Sequence, residues 1–170
     1  MASESSKDVP LNPVLAPLAW MLGSWVSDPL GEGESIALPT FRYKEEIVIS
    51  HFGQTMMHFM FCSFDPESGK PLHRECGFIC AKPATNRVAF VCAMSLGVVE
   101  VEEGEVRGNQ LTLTSHTVGK MSFVKEPHVN QVTRTFRLNR EGKLEQTICM
   151  ETTAKPMSPH VWVTYKKVKS

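Results

Sequence analysis

His160 is the residue of this chain best placed to do chemistry. It stands in Pro156-Met157-Ser158-Pro159-His160-Val161-Trp162-Val163-Thr164-Tyr165, at the start of the last strand-like run. The two prolines before it lack the N–H that a sheet ladder needs, so pairing begins only beyond them. The residues after it are β-branched and aromatic, the types that suit a pleated strand. An imidazole fixed at the lip of a small barrel can turn one ring nitrogen into an apolar cavity, and neutral imidazole is a good ligand for haem iron. Spacing alone favours a strand-end histidine on the surface. Alternation groups His160 with Trp162 and Thr164, and Val161 with Val163 and Tyr165, and both faces carry large apolar groups.

The elements that must position His160 are short strands. Residues 1–10 read as a polar, disordered leader and 11–170 as one domain. Asn12-Pro13 opens a short apolar helix through Leu22, with Asn12 as cap and Gly23 as stop. Strands are expected at about 24–28, 40–51, 55–64, 72–81, 87–94, 97–106, 110–117, 120–125, 130–139, 143–152 and 160–168. Turn residues separate them, as in Phe52-Gly53-Gln54, Asp65-Pro66-Glu67-Ser68-Gly69, Lys82-Pro83-Ala84-Thr85-Asn86, Arg107-Gly108-Asn109 and Asn139-Arg140-Glu141-Gly142. Val99, Val101 and Glu103 alternate with Glu100, Glu102 and Gly104; Val132, Arg134, Phe136 and Leu138 alternate less cleanly. About ten short-linked strands must close to remove their edges, which predicts an all-β, antiparallel up-and-down barrel with a helix near one end.

Composition narrows the function. The 42% hydrophobic content of the 170 residues supports a real core. Lys+Arg and Asp+Glu are equal at 18 each, which argues against a nucleic-acid surface. No apolar run has the length of a membrane span, and the acidic N-terminus is unlike a signal peptide. Five cysteines without a Cys-x-x-Cys pair suit a reducing cytoplasmic or nuclear compartment.

Several segments, taken in order, resemble one family. They are Asn12-Pro13-Val14, Leu18-Ala19-Trp20-Met21-Leu22-Gly23-Ser24-Trp25, Phe41-Arg42-Tyr43-Lys44-Glu45-Glu46, Pro71-Leu72-His73-Arg74-Glu75-Cys76-Gly77-Phe78, Gly97-Val98-Val99-Glu100-Val101 with Glu103-Gly104, and the run around His160. Together they look like the nitrobindin family, and most like its vertebrate form, the haem domain of a THAP-domain protein, whose DNA-binding zinc finger is not carried over. The resemblance implies a ten-stranded barrel similar in plan to fatty-acid-binding proteins. It implies one ferric haem b per chain with His160 as proximal ligand, nitric oxide binding, and isomerisation of peroxynitrite to nitrate at the iron, without a catalytic side chain. Leu72 and His73 match the distal side. Adjacent strand residues face opposite ways, so both reach one site only if the strand is bulged or ends there. A threonine contact of the family falls on Ala37, or on Thr40 if the alignment shifts. The family's Gly-x-Trp-x-Gly-x-Gly signature survives as Gly23-Ser24-Trp25, followed by Val26-Ser27-Asp28.

Other groups have blander readings. The methionines and phenylalanines read mostly as core. Lys120, Lys125, Arg42 and Arg74 are either rim cations for haem propionates or solvated charges. His51, His58, His116 and His128 lack ligand spacing and read as structural. Two alternatives to the enzyme stand: a haem or nitric oxide sensor, and a lipid carrier, although the Arg-x-Tyr pair of such carriers is missing near the C-terminus. Exposed strand faces leave room for a homodimer.

Overall fold

The structure, a computed structural model, describes residues 9–35 and 39–168. Most of the expected leader (residues 1–8) and Ala37 lie outside the described residues. The helix forms over Pro13–Met21, and Asn12 Oδ1 caps it by accepting from Val14 N at 3.0 Å. It winds as a 3₁₀ helix. Pro17, inside it, has no N–H and its ring would crowd the carbonyl four residues back in an α-helix. Leu15, Leu18 and Met21 are fully buried against the barrel core. Asn12 Nδ2 donates to Gly53 O and Trp25 Nε1 to Met21 O, which ties the helix to one end of the barrel.

Eleven strand segments follow among the described residues: β1 (Gly23–Ser27), β2 (Gly31–Gly33), β3 (Phe41–His51), β4 (Met56–Phe64), β5 (Pro71–Ala81), β6 (Arg87–Met94), β7 (Val98–Arg107), β8 (Gln110–Lys120), β9 (Val129–Leu138), β10 (Leu144–Thr152) and β11 (Ser158–Lys167). From β3 to β11 each pairs antiparallel with the next. β1 and β2 both lie between β3 and β11. Trp25 opposes Ile47 and Lys167, while Gly33 opposes Phe41 and Val161. They are two pieces of one stave, so the barrel closes with ten strand positions, as expected.

Two expectations are corrected. β2 was not foreseen, because a three-residue strand with two glycines carries no strand signal of its own. The strand at 120–125 does not form. β8 instead runs on to Lys120, paired with Val98 of β7. The β8–β9 ladder stops at Thr114 and Thr133, although both strands continue. The wall is therefore parted beyond that point, and the loop over 121–128 stands beside the gap.

The interior is layered. Near the helix it is apolar: Ile49, Met57, Ile79, Val88 and Leu144 are buried, and Phe59 and Phe90 stack with centroids 4.3 Å apart beside Phe61 and Phe136. One step further along the strands, inward positions turn polar: Glu45, Glu75, Glu100, Glu102, Arg134 and Gln146 are all buried. The alternation on β7 is real but in its middle runs opposite to hydropathy, with Glu100 and Glu102 inside and Val99 exposed.

Arg134 holds this belt together. Its Nε donates to both oxygens of Glu102, at 3.3 and 3.1 Å, and Nη1 to Glu75 Oε2 at 3.2 Å and Gln146 Oε1 at 2.7 Å. Its guanidinium carbon lies 4.6 Å from the Phe90 ring centroid, a cation–π contact. Burial alone pushes the Glu75 carboxyl up, but Arg134 and then the His73 hydrogen bond outweigh it and leave Glu75 at about 2. Glu100 goes the other way. Burial outweighs the attraction of Arg134, Glu102 adds to the rise, and Glu100 stands at about 8. Both of its carboxyl oxygens are buried without a hydrogen-bond partner among the described residues, an environment that favours the neutral acid.

Removing Arg134 strands buried carboxylates. Arg134→Met should cost about 3–5 kcal/mol in urea unfolding near neutral pH. Glu75 is depressed, so its stabilisation is present above the ordinary value of 4.5 and is lost as pH falls from there through about 2. Glu100 is raised, so its contribution is present below 4.5 and is lost as pH rises through about 8. In urea unfolding across pH, Glu75→Gln should flatten the acid arm and Glu100→Gln the alkaline one.

Candidate functional site

Two cavities open beyond the polar belt. The inner one, about 270 Å³, is walled by Phe41, Phe61, Leu72, Met94 and Ile148 over the polar floor. The outer one, about 620 Å³, lies beside the parted β8 and β9 and is lined by Val118, Phe123, Val124 and Val129. Leu96, Val129, Met150 and His160 border both.

A bulge places His160 there. Ile148 opposes Val161, yet Cys149 opposes Pro159, so His160 is the extra residue on β11. This releases it from the alternation that sends Trp162 outward, where Nε1 donates to Glu32 Oε2. His160 Nδ1 lies 2.9 Å from the Glu34 carbonyl oxygen, and Glu34 N donates to the His160 carbonyl at 2.7 Å. A carbonyl can only accept, so Nδ1 carries the proton and Nε2 is left with a free lone pair. Burial, the largest influence, holds His160 below the usual histidine range despite the Glu34 hydrogen bond, which keeps the ring neutral. A neutral imidazole with its second nitrogen pinned to a carbonyl is the arrangement of a metal-ligating histidine.

A second bulge acts on the opposite wall. Ser63 opposes His73, but Phe64 opposes Pro71, so Leu72 is the extra residue of β5. Leu72 and His73 therefore line the inner cavity side by side. His73 is tied back to Glu75, with Nε2 3.0 Å from Oε1. Thr40 is exposed and lines neither cavity.

Glycines let the wall come this close. A Cβ on Gly31 would sit 2.5 Å from Tyr43 Cζ. One on Gly33 would sit 2.3 Å from Phe41 Cζ and 2.9 Å from the His160 carbonyl oxygen. Close glycine packing therefore occurs at Gly31-Glu32-Gly33, beyond the Val26-Ser27-Asp28 that interrupts the signature. Gly-x-Gly six residues after Trp25 was the signal that could have found it.

Of the other cations, Lys120, Lys125 and Lys155 line the outer cavity. Lys120 Nζ donates to His128 Nδ1 at 2.9 Å, which brings His128 to the same rim. Arg42 pairs with Glu32 on the surface, and Arg74 is exposed. His51 caps its own turn by accepting from Gly53 N, His58 packs on Phe78, and His116 pairs with Glu103.

The family model described as the THAP4-like, heme-binding beta-barrel domain matches residues 14–167. The chain belongs to this family. It is nitrobindin-type, as the ordered motifs implied. The mouse protein named peroxynitrite isomerase THAP4 is 61% identical over 158 residues, covering 93% of this chain and 28% of that protein. This chain therefore spans little more than a quarter of that relative's length. The Arabidopsis thaliana protein named peroxynitrite isomerase Rv2717c is 38% identical, covering 89% of this chain and 87% of its own. The crystal structure of Rv2717c from M. tuberculosis superposes with a TM-score of 0.83 at 25% identity, over 94% of this chain and all of that one.

The cavities fit the haem that the family description names. They offer one oriented, neutral imidazole, mostly apolar walls, and lysines at the outer rim for two carboxylates. Sequence reasoning missed the polar belt beneath. Its trace was visible in Arg134 and Gln146, each breaking an apolar alternation. Gly33→Val should displace Phe41 and the His160 backbone together. Haem titration should then read an affinity loss of about tenfold or more, the range for a disturbed supporting shell.

Proposed function

We propose that this domain binds one haem b through His160 Nε2 and, with ferric iron, binds nitric oxide and isomerises peroxynitrite to nitrate. The observation that carries the reading is the Nδ1–Glu34 hydrogen bond, which leaves Nε2 free where the two cavities meet. The mouse and Arabidopsis relatives, both named peroxynitrite isomerase, support the reaction. Held there by His160, haem would supply Lewis-acid chemistry toward a small anionic ligand.

The chain's own residues supply binding and confinement. His160 stays neutral and fixed in tautomer. Phe41, Leu72, Met94 and Met150 exclude water and limit the escape of reactive fragments. Lys120, Lys125 and Lys155 provide positive charge for the propionates. A lipid carrier is disfavoured by the interior charge. The buried guanidinium of Arg134 is already paired with Glu75 and Glu102, so a fatty-acid carboxylate meets more acid than base.

His160→Ala should abolish stoichiometric haem uptake; an unchanged ferric Soret spectrum in that variant would overturn the assignment. Peroxynitrite decay to nitrate, followed by stopped flow, should be faster with the haem-loaded protein than with the same concentration of free haem. Equal rates would leave a sensor as the better reading.

A further inference from the structure

The polar floor of the inner cavity is one continuous hydrogen-bonded chain. His73 Nε2 meets Glu75 Oε1, and Arg134 Nη1 joins Glu75 Oε2 to Gln146 Oε1. Gln146 Nε2 then donates to Tyr165 Oη at 2.7 Å, and the Tyr165 hydroxyl donates to Glu45 Oε1 at 2.5 Å. Both ends of the chain, His73 and Glu45, line the same cavity.

Donor chemistry gives this chain a direction. Arginine can only donate, so the Gln146 oxygen accepts and its amide nitrogen donates onward. Tyr165 spends its one proton on Glu45. Among the described residues Tyr165 is the side chain that donates to the Glu45 carboxyl, at Oε1. The charged and titratable groups around Glu45 are Tyr43 on its own strand, His73 and Glu75 of β5, Arg134 of β9 and Tyr165 of β11. β4 and β10 present Phe61, Ser63 and Gln146, which carry no charge.

We propose that Glu45 is the proton-donating group of the inner cavity, and that the cavity is a subsite for small weak-acid anions, which it holds as their conjugate acids. The O–H bond of the Glu45 carboxylic acid breaks, and the proton bonds to the basic atom of the anion. No electron is transferred, and solvent later restores the proton. The negative charge then rests on Glu45, where the Tyr165 hydroxyl stabilises it, and not on a ligand among apolar walls. Burial raises Glu45 and the Tyr165 hydrogen bond lowers it, to about 7, so both forms are accessible near neutrality. The ligand class includes the peroxynitrite anion, and to that extent the inference rests on the haem reading.

Azide is the probe. It is titrated into haem-loaded wild type, Glu45→Gln and Tyr165→Phe between about pH 5.5 and 8.5, with the Soret shift as readout. Wild-type affinity should be level at low pH and then fall about tenfold per pH unit above a break. Glu45→Gln should remove the break. Tyr165→Phe, which deletes the bond that lowers Glu45, should move it to higher pH. A break that persists unchanged in Glu45→Gln overturns the proposal. In parallel, the carboxylic C=O infrared band of Glu45 is followed in the haem-free chain, as a difference against Glu45→Gln. If the chain takes up no haem, the haem reading falls and this arm decides alone. Loss of the band on adding azide at about pH 6 supports the subsite, and an unchanged band overturns it.

Discussion

The open end of the barrel depends on one reciprocal contact, in which Glu34 and His160 each offer the other a donor and an acceptor. Glu34 N to His160 O continues the ladder that joins β2 to β11 and so closes the cylinder. His160 Nδ1 to Glu34 O uses the same pair to settle which ring nitrogen is free. At this end of the barrel, where β2 completes the stave that β1 begins, closure and histidine orientation share one residue pair. Gly33 makes it feasible, because a side chain there would meet both the Phe41 ring and the His160 carbonyl.

Bulges then convert a regular barrel into a site. A regular strand sends neighbours to opposite faces, so it gives a cavity at most every second side chain. The extra residues at Leu72 and His160 break that rule on two walls of the same end. The parted β8 and β9 supply the opening, since strands that stop pairing also stop sealing the wall. Further extra residues fall at His116 in the β7–β8 ladder and Asn130 in the β9–β10 ladder, and regular pairing elsewhere gives the site a stiff frame.

The buried polar belt separates the apolar end from the cavities. Four glutamates around one arginine would be untenable if all were ionised. The interior divides the charge instead: Glu75 is ionised beside Arg134, while Glu100 keeps its proton. Such an interior costs more than an apolar one of the same volume. It provides hydrogen-bond donors and acceptors at the floor of a cavity whose walls have few.

Much of the fold was legible in the chain. Turn residues, short β-rich runs and the Asn12-Pro13 start marked a closed meander behind a helix, because these signals are local. Local signals failed where partners decide. Met121-Ser122-Phe123 reads as strand but turns away once Met121 N has donated to Gly97 O, and Gly31-Glu32-Gly33 reads as loop but is squeezed between β3 and β11. Glu100, Glu102 and Arg134 look like surface charges until the barrel brings strands more than thirty residues apart into contact. The sequence by itself determined most of the element order, short of β2 and with one strand too many at 120–125, the closed all-β class and, through ordered motifs, the family. Only the tertiary structure decided which face of each strand points inward, that His160 is a bulge residue aimed into a cavity, and that Glu45 ends a buried chain. Those facts depend on register and burial, which no single strand carries.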